Sequence, residues 1–166
     1  MAESKVVEVL KKAILLEQQG MNFYKGIAEN SKSEAVKNIF TIMADEEKKH
    51  MDALTAQYKK YEKEGSFSFD EGMGSPNEFS DKVLSEKVRS EINAAGYEAA
   101  SISAAIGLEK ETINLYSSRA DETEDPDEKK IYNELVGWER THVSFLNSIY
   151  NDLLEDSWYD QNFWPF

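Results

Sequence analysis

Glu47-Lys48-Lys49-His50 is the stretch that decides how this chain folds, because the chain repeats its pattern at Glu139-Arg140-Thr141-His142. The two stretches contain the only two histidines of the 166 residues, and each histidine follows a glutamate by three positions. Three residues span nearly one turn of an α-helix, so each glutamate and its histidine lie on one helical face. A carboxylate and an imidazole on one face are ligands suited to iron, manganese or zinc.

The repeat extends well beyond this motif, at a constant offset of 92 positions (139 − 47). Adding 92 to Glu17 gives Glu109, and adding it to Tyr24 gives Tyr116. Apolar residues also recur at this offset, in the pairs Leu10 and Ile102, Ile14 and Ile106, Met21 and Ile113, and Leu54 and Leu146. The chain is therefore two copies of a helical hairpin, each with one glutamate on its first helix and Glu-x-x-His on its second.

The spacing of apolar residues predicts four helices, at about 4–29, 34–64, 96–121 and 126–155. Each helix has one apolar stripe, which must be buried against the other helices. Two antiparallel hairpins joined by a long crossover form a four-helix bundle. We therefore predict an all-α fold, an antiparallel four-helix bundle.

We expect one domain over residues 1–166, because that length suits a single hydrophobic core. Its predicted parts are the first repeat at 4–64, a crossover at 65–95, the second repeat at 96–155 and an aromatic tail at 156–166. Glycine, serine and proline mark the crossover as a loop, with a short helix expected at 79–90. The aromatic density of the tail indicates that it packs on the bundle or on a sister subunit, or that it is a docking peptide for a partner.

Composition excludes several classes of function. The chain has no cysteine, which excludes disulfides, thiolate zinc sites, iron–sulfur clusters and thiol catalysis. A net charge of −13 argues against nucleic acid or an anionic membrane as a partner. No apolar run approaches the length that crosses a bilayer, and the first five residues do not resemble a signal peptide, so we expect a cytoplasmic protein.

Six polar residues lie in the apolar stripes and are predicted to meet at mid-bundle: Glu17, Glu47, His50, Glu109, Glu139 and His142. Four carboxylates converging in an apolar core would repel one another, and two divalent cations carry the charge that cancels them. The imidazoles add neutral ligands, so the set predicts a binuclear metal centre with two bridging carboxylates. Without metal, crowding and desolvation are expected to raise the pKa of all four glutamates.

A single Glu-x-x-His would more often be a pair on a helix surface than a metal site. Two copies at one offset, which use every histidine of the chain, favour metal binding. With its two further glutamates, this ligand set resembles that of the ferritin-like di-iron carboxylate proteins, and among them the rubrerythrin-like group. The resemblance covers residues 4–64 and 96–155, and it implies two iron ions, with manganese or zinc as alternatives.

The resemblance also implies a role for each residue of the site. Glu17 and Glu109 resemble the terminal ligands of the family, and Glu47 and Glu139 resemble its bridging ligands. His50 and His142 resemble its histidine ligands, one imidazole for each metal ion. Tyr24 and Tyr116 resemble tyrosines of the family that hydrogen-bond across the site, and core packing explains these two residues equally well.

Two departures from the rubrerythrin pattern bear on activity. Rubrerythrins carry a further glutamate three residues after the ligand of the third helix, where this chain has Thr112. They also carry a rubredoxin-like domain with cysteine-ligated iron, which this cysteine-free chain lacks. Electrons are therefore expected from a separate donor protein or reductant.

Three functions are compatible with these patterns. The resemblance favours a redox enzyme that reduces hydrogen peroxide or dioxygen and forms a homodimer or small homo-oligomer. The alternative is an iron-oxidising storage protein, which would form a very large assembly. A third reading is a bundle that retains metal for stability alone.

Overall fold

A computed structural model describes residues 5–68 and 97–160 of the chain. This part consists of α1 (Lys5–Asn30), α2 (Glu34–Glu64), α3 (Tyr97–Glu122) and α4 (Pro126–Asp160), and it contains no strand. Helix α1 packs along α2 and α3 along α4, and the two hairpins meet where α1 contacts α3 and where side chains of α2 contact those of α4. The predicted all-α four-helix bundle is confirmed.

Local chemistry explains where the helices begin and end. The Ser33 hydroxyl accepts a hydrogen bond of 3.2 Å from the N–H of Val36, which caps the first turn of α2. Gly65 ends that helix in the left-handed conformation, at φ 69°, which glycine adopts without steric penalty. The Asp125 carboxylate accepts from the N–H groups of Asp127 and Glu128, at 2.9 and 3.0 Å, and so begins α4.

The predicted helix bounds agree with the structure to within one residue for the first three helices. Helix α4 runs to Asp160, beyond its predicted end near Glu155, so the first part of the predicted tail is helical backbone. Residues 1–4, 69–96 and 161–166 lie outside the described residues. The expected crossover helix at 79–90 and the packing of the aromatic tail therefore stay predictions.

Two apolar clusters fill the bundle, one toward each end, and each draws on all four helices. The first includes Tyr24, Phe40, Ile102 and Leu146, and the second includes Leu10, Leu54, Tyr116 and Leu135. Burying one large apolar side chain contributes about 1.5–3 kcal/mol, so these clusters hold the four helices in register. Between them lies one polar layer, which contains the predicted site. Within the described residues, no helix is long and apolar enough to span a membrane.

Candidate metal centre

The six predicted ligands lie in one buried layer at mid-bundle, and none is more than 3% exposed. Their ligand atoms form two groups of four, within which all atoms lie within 4.8 Å of one another: Glu17, Glu47, His50 and Glu139, and Glu47, Glu109, Glu139 and His142. Two glutamates, Glu47 and Glu139, belong to both groups. The fold thus brings the six residues together as two overlapping ligand sets.

The two shared glutamates are arranged as bridging ligands would be. Glu139 directs Oε1 to the Nδ1 atom of His50 at 2.9 Å and Oε2 to the Nδ1 atom of His142 at 3.1 Å. Glu47 does the same, with Oε2 at 3.5 Å from His50 and Oε1 at 3.3 Å from His142. Each shared carboxylate therefore presents one oxygen to each half of the site.

The remaining two glutamates each belong to one half only. Glu17 Oε2 lies 3.4 Å from His50 Nδ1, and Glu109 Oε1 lies 3.5 Å from His142 Nδ1. Each half therefore has its own carboxylate and its own imidazole. This is the distribution expected of terminal ligands.

Buried oxygens without hydrogen bonds show that these residues fit a metal pair. Within the described part of the chain, Glu17 Oε2, Glu47 Oε1 and both carboxylate oxygens of Glu139 are buried and accept no hydrogen bond of acceptable geometry. Leaving such groups unsatisfied is strongly unfavourable. Cations between the carboxylates and imidazoles would satisfy them. The donor set, oxygen with imidazole nitrogen, suits iron, manganese or zinc.

Tyr24 and Tyr116 hold the two terminal glutamates in place. The Tyr24 hydroxyl donates to Glu109, and the Tyr116 hydroxyl donates to Glu17, so each tyrosine reaches a ligand of the other repeat. Both tyrosines are fully buried, and their rings pack against Phe40 and Tyr132. Core packing and contact with the site, which the sequence leaves as alternatives, are both present.

The sequence model of the rubrerythrin family matches residues 8–150. The chain belongs to the rubrerythrin family. A solved structure of a hypothetical protein from Pyrococcus furiosus is similar in fold, with a TM-score of 0.66 and 26% sequence identity over 93% of this chain and 94% of that chain. A comparison with curated proteins gave no match. Family membership and the buried carboxylate–histidine cluster together indicate a binuclear metal site.

Relative to the rubrerythrin pattern, this site lacks a carboxylate on α3. The residue at that position, Thr112, is buried, and its hydroxyl donates to the backbone carbonyl of Leu108 at 3.2 Å. No rubredoxin-like domain is evident in the 166 residues. The described site therefore has six ligand residues, three from each hairpin.

In the metal-free site, the pKa values of the two terminal glutamates move in opposite directions. Burial, with the nearby Glu47 carboxylate, raises the pKa of Glu17 to about 8. Burial alone would also raise the pKa of Glu109, but its contacts with His142 outweigh burial and lower that pKa to about 2. The expectation that all four glutamates have raised pKa values is therefore wrong for Glu109.

The pKa values of the two imidazoles are also shifted in the metal-free site. Burial lowers the pKa of both histidines, but the carboxylates outweigh it, chiefly Glu139 at His50 and Glu109 at His142, and both pKa values are raised. For the Glu139 carboxyl, burial has the opposite effect and raises the pKa to about 7. Protonated imidazoles thus supply part of the countercharge to the carboxylates when metal is absent.

Two residues of the site were not predicted. Gly20 lies one turn after Glu17, and a Cβ atom there would lie 3.3 Å from Glu47 Cδ. Gly26, Gly107 and Gly137 also lie inside helices, with nothing within 4 Å of an added Cβ, so the sequence alone does not distinguish Gly20 from them. Trp138 stacks on His50 with 4.8 Å between ring centroids. No periodicity signals this contact, since it joins residues of different hairpins.

Proposed function

We propose that this rubrerythrin-family protein is a di-iron oxidoreductase that reduces hydrogen peroxide or dioxygen with electrons from a separate donor. The observation that carries the proposal is that Glu47 and Glu139 each present one oxygen to each half of the site. A pair of iron ions bound there would supply the two electrons that reduction of one peroxide molecule requires. We further propose that the protein works as a homodimer or small homo-oligomer.

The residues of the chain prepare the site for this chemistry in three ways. Glu17 and Glu109 close the two ends of the site, and burial of all six ligands excludes bulk water. Burial, together with the facing carboxylates, raises the pKa of Tyr24 and Tyr116 well above the ordinary value, so both hydroxyls keep their protons. They therefore remain hydrogen-bond donors that orient the terminal carboxylates.

The test is anaerobic loading with Fe(II), followed by rapid mixing with hydrogen peroxide or dissolved dioxygen. We expect about two Fe(II) bound per chain and about two oxidised per peroxide molecule, since the site offers two overlapping ligand sets. Glu139→Ala should abolish the reaction, and Glu134→Ala, an exposed glutamate of the same helix, is the matched control. Bound Fe(II) that is oxidised no faster than Fe(II) in buffer would contradict the proposal. Continued oxidation of excess iron, retained in a large assembly, would indicate storage instead.

A further inference from the structure

Trp138 makes an aromatic contact with one of the two imidazoles of the site. Its indole ring, on α4, stacks on the ring of His50, on α2, with centroids 4.8 Å apart and an interplanar angle of 17°. The His50 ring in turn lies 5.6 Å from the His142 ring at 23°. These separations are within the range of stacked aromatic pairs. A continuous series of π-systems therefore leads from Trp138 to both imidazoles.

Hydrogen bonding does not explain why this residue is tryptophan. Trp138 is 6% exposed, and its indole Nε1 atom is buried with no hydrogen-bond partner among the described residues. A buried indole N–H usually finds an acceptor, so the unpaired N–H offsets part of the stability that the ring contributes to the apolar cluster. The feature that packing alone does not require is the stacking of the conjugated ring on a predicted metal ligand.

The other hairpin shows that the fold does not require an aromatic residue here. The position equivalent to Trp138 in the first repeat is Glu46 (138 − 92). Its carboxylate pairs with Lys49 at 2.6 Å on the surface of α2. By the same offset, the counterpart of the Trp138–His50 contact would be Glu46 with His142. The aromatic contact is thus specific to the half of the site that contains Glu17 and His50.

We infer that Trp138 conducts electrons from an external one-electron donor to the metal ion that His50 would hold. The inference rests on the proposed function, because it supplies the electron path that the proposed function needs. In each transfer a reduced carrier, such as a flavin or an iron–sulfur protein, loses one electron and a ferric ion gains it and becomes ferrous. No bond forms or breaks, and two transfers reduce the pair. Electron tunnelling weakens steeply with distance, and a conjugated ring couples donor and acceptor better than an aliphatic side chain.

The first experiment measures reduction of the iron-loaded, oxidised protein by photoreduced flavin mononucleotide under anaerobic conditions. Trp138→Leu should slow reduction by about tenfold, which corresponds to about 1.4 kcal/mol of activation free energy. Trp138→Phe should retain part of the rate. Phe67→Leu is the matched control, since Phe67 is a buried aromatic residue that contacts Tyr61 at the end of α2.

Zn(II) affinity and melting temperature, measured on every variant, separate conduction from packing. If Trp138 conducts electrons, Zn(II) affinity and melting temperature should change no more in the Trp138 variants than in Phe67→Leu. A slower reduction that follows weaker Zn(II) binding would overturn the inference, and so would equal reduction rates in wild type, Trp138→Leu and Trp138→Phe. If Trp138→Leu does not fold, the reduction rate of Trp138→Phe relative to wild type is the test of the inference. Wild-type protein that binds no iron, or whose iron the flavin cannot reduce, would instead contradict the proposed function.

A second readout needs no external donor. In a Trp158→Phe/Trp164→Phe background, Trp138 is the only tryptophan of the chain. An excited indole in contact with a ligand of an oxidisable centre can transfer an electron to it. The fluorescence lifetime should therefore be shorter with oxidised iron than with Zn(II), which cannot accept an electron. Equal lifetimes in the two metal forms would overturn the inference.

Discussion

The two helical hairpins carry the same ligands and differ in the residues behind them. Each has one terminal glutamate, one shared glutamate, one histidine and one tyrosine that donates to the other hairpin. The positions that differ include Gly20 and Thr112, Ile27 and Arg119, Val36 and Glu128, Phe40 and Tyr132, and Glu46 and Trp138. The comparison teaches that the ligands, and the tyrosines that donate to them, are the same residue types in both copies, because the site takes half its ligands from each. The residues around them differ between the copies.

The largest of these differences is an ion pair in the second hairpin. Arg119 donates from Nε and Nη2 to the two carboxylate oxygens of Glu128, at 2.6 and 2.7 Å, and the Thr123 hydroxyl donates to the same carboxylate. Glu128 is 1% exposed. In the first hairpin, the buried apolar residues Ile27 and Val36 occupy the equivalent positions. The equivalent positions are therefore filled by packed apolar side chains in the first hairpin and by a buried ion pair in the second.

The largest expected effect comes from removing either of the two glutamates that both halves of the site share. Glu47→Ala or Glu139→Ala removes an oxygen from both halves, so we expect loss of both metal ions. Glu17→Ala removes a ligand from one half only, where water can replace it, and should lose about one ion of the two. Elemental analysis after gel filtration measures this. Equal losses in the three variants would refute the distinction between shared and terminal ligands.

The ion pair of the second hairpin gives the next largest effect. Arg119→Ile alone leaves the buried Glu128 carboxylate without its cation, and we expect destabilisation of about 3–5 kcal/mol. Arg119→Ile/Glu128→Val copies the first hairpin and should restore stability to within about 1 kcal/mol of wild type. Urea unfolding of the apo proteins measures both free energies. A double variant as unstable as the single one would show that apolar packing cannot replace the pair in this hairpin.

The two terminal glutamates should respond to pH in opposite ways in the apo protein. Glu17, with its pKa raised from 4.5 to about 8, contributes stability that is present below pH 4.5 and is lost as the pH rises through 8. Glu109, with its pKa lowered to about 2, contributes stability above pH 4.5 that is lost as the pH falls through 2. At pH 8, Glu17→Gln should therefore raise the melting temperature and Glu109→Gln should lower it.

Melting curves of EDTA-treated protein at pH 5.5 and pH 8 test this contrast, with about 2–4 °C expected per kcal/mol for a chain of this size. The Glu17→Gln effect should shrink at pH 5.5, where the folded protein already holds this carboxyl protonated. Shifts of the same sign in both variants would mean that the two terminal positions are electrostatically equivalent. Saturating Zn(II) should reverse the trend, since metal binds the deprotonated ligands and stabilises the protein most near neutral pH.

A smaller effect is expected at Gly20. Ala in place of Gly stabilises a helix interior by about 1 kcal/mol, and Gly26→Ala on the same helix should show that gain because nothing lies within 4 Å of the added Cβ. Gly20→Ala should lose the gain, because its Cβ would press on Glu47 at 3.3 Å. Its Zn(II) affinity should also fall, while that of Gly26→Ala should not. Calorimetric titration and melting curves measure the pair, and identical behaviour would show that Glu47 tolerates the contact.

The smallest effect is expected at Tyr132, whose counterpart is Phe40. The Tyr132 hydroxyl is buried and has no hydrogen-bond partner among the described residues. Tyr132→Phe should therefore be neutral or stabilising, by less than about 1 kcal/mol. A clear loss of stability in urea unfolding would indicate that this hydroxyl has a partner in the folded protein. The reciprocal variant, Phe40→Tyr, should be destabilising, since it buries a new hydroxyl.

Most of the fold could be predicted because its signals are local or repeated. Helix periodicity predicted the helix positions, and α4 alone extends beyond its predicted end. The six predicted ligands meet in one layer because the 92-residue offset preserves their register in both hairpins. The Arg119–Glu128 ion pair was not predicted, because it joins residues of two different helices.

The sequence by itself determined the bundle, its duplication and the identity of the six converging residues, because each of these depends on spacing along a helix. Only the tertiary structure decided what happens between helices: which glutamates are shared, which tyrosine reaches which carboxylate, and that Trp138 lies on His50. It also decided the protonation of the metal-free site, since desolvation and charge–charge energies depend on distances of a few ångströms across the core. Spacing along a chain determines which face of a helix a residue occupies, and the packing of other helices determines what that face meets.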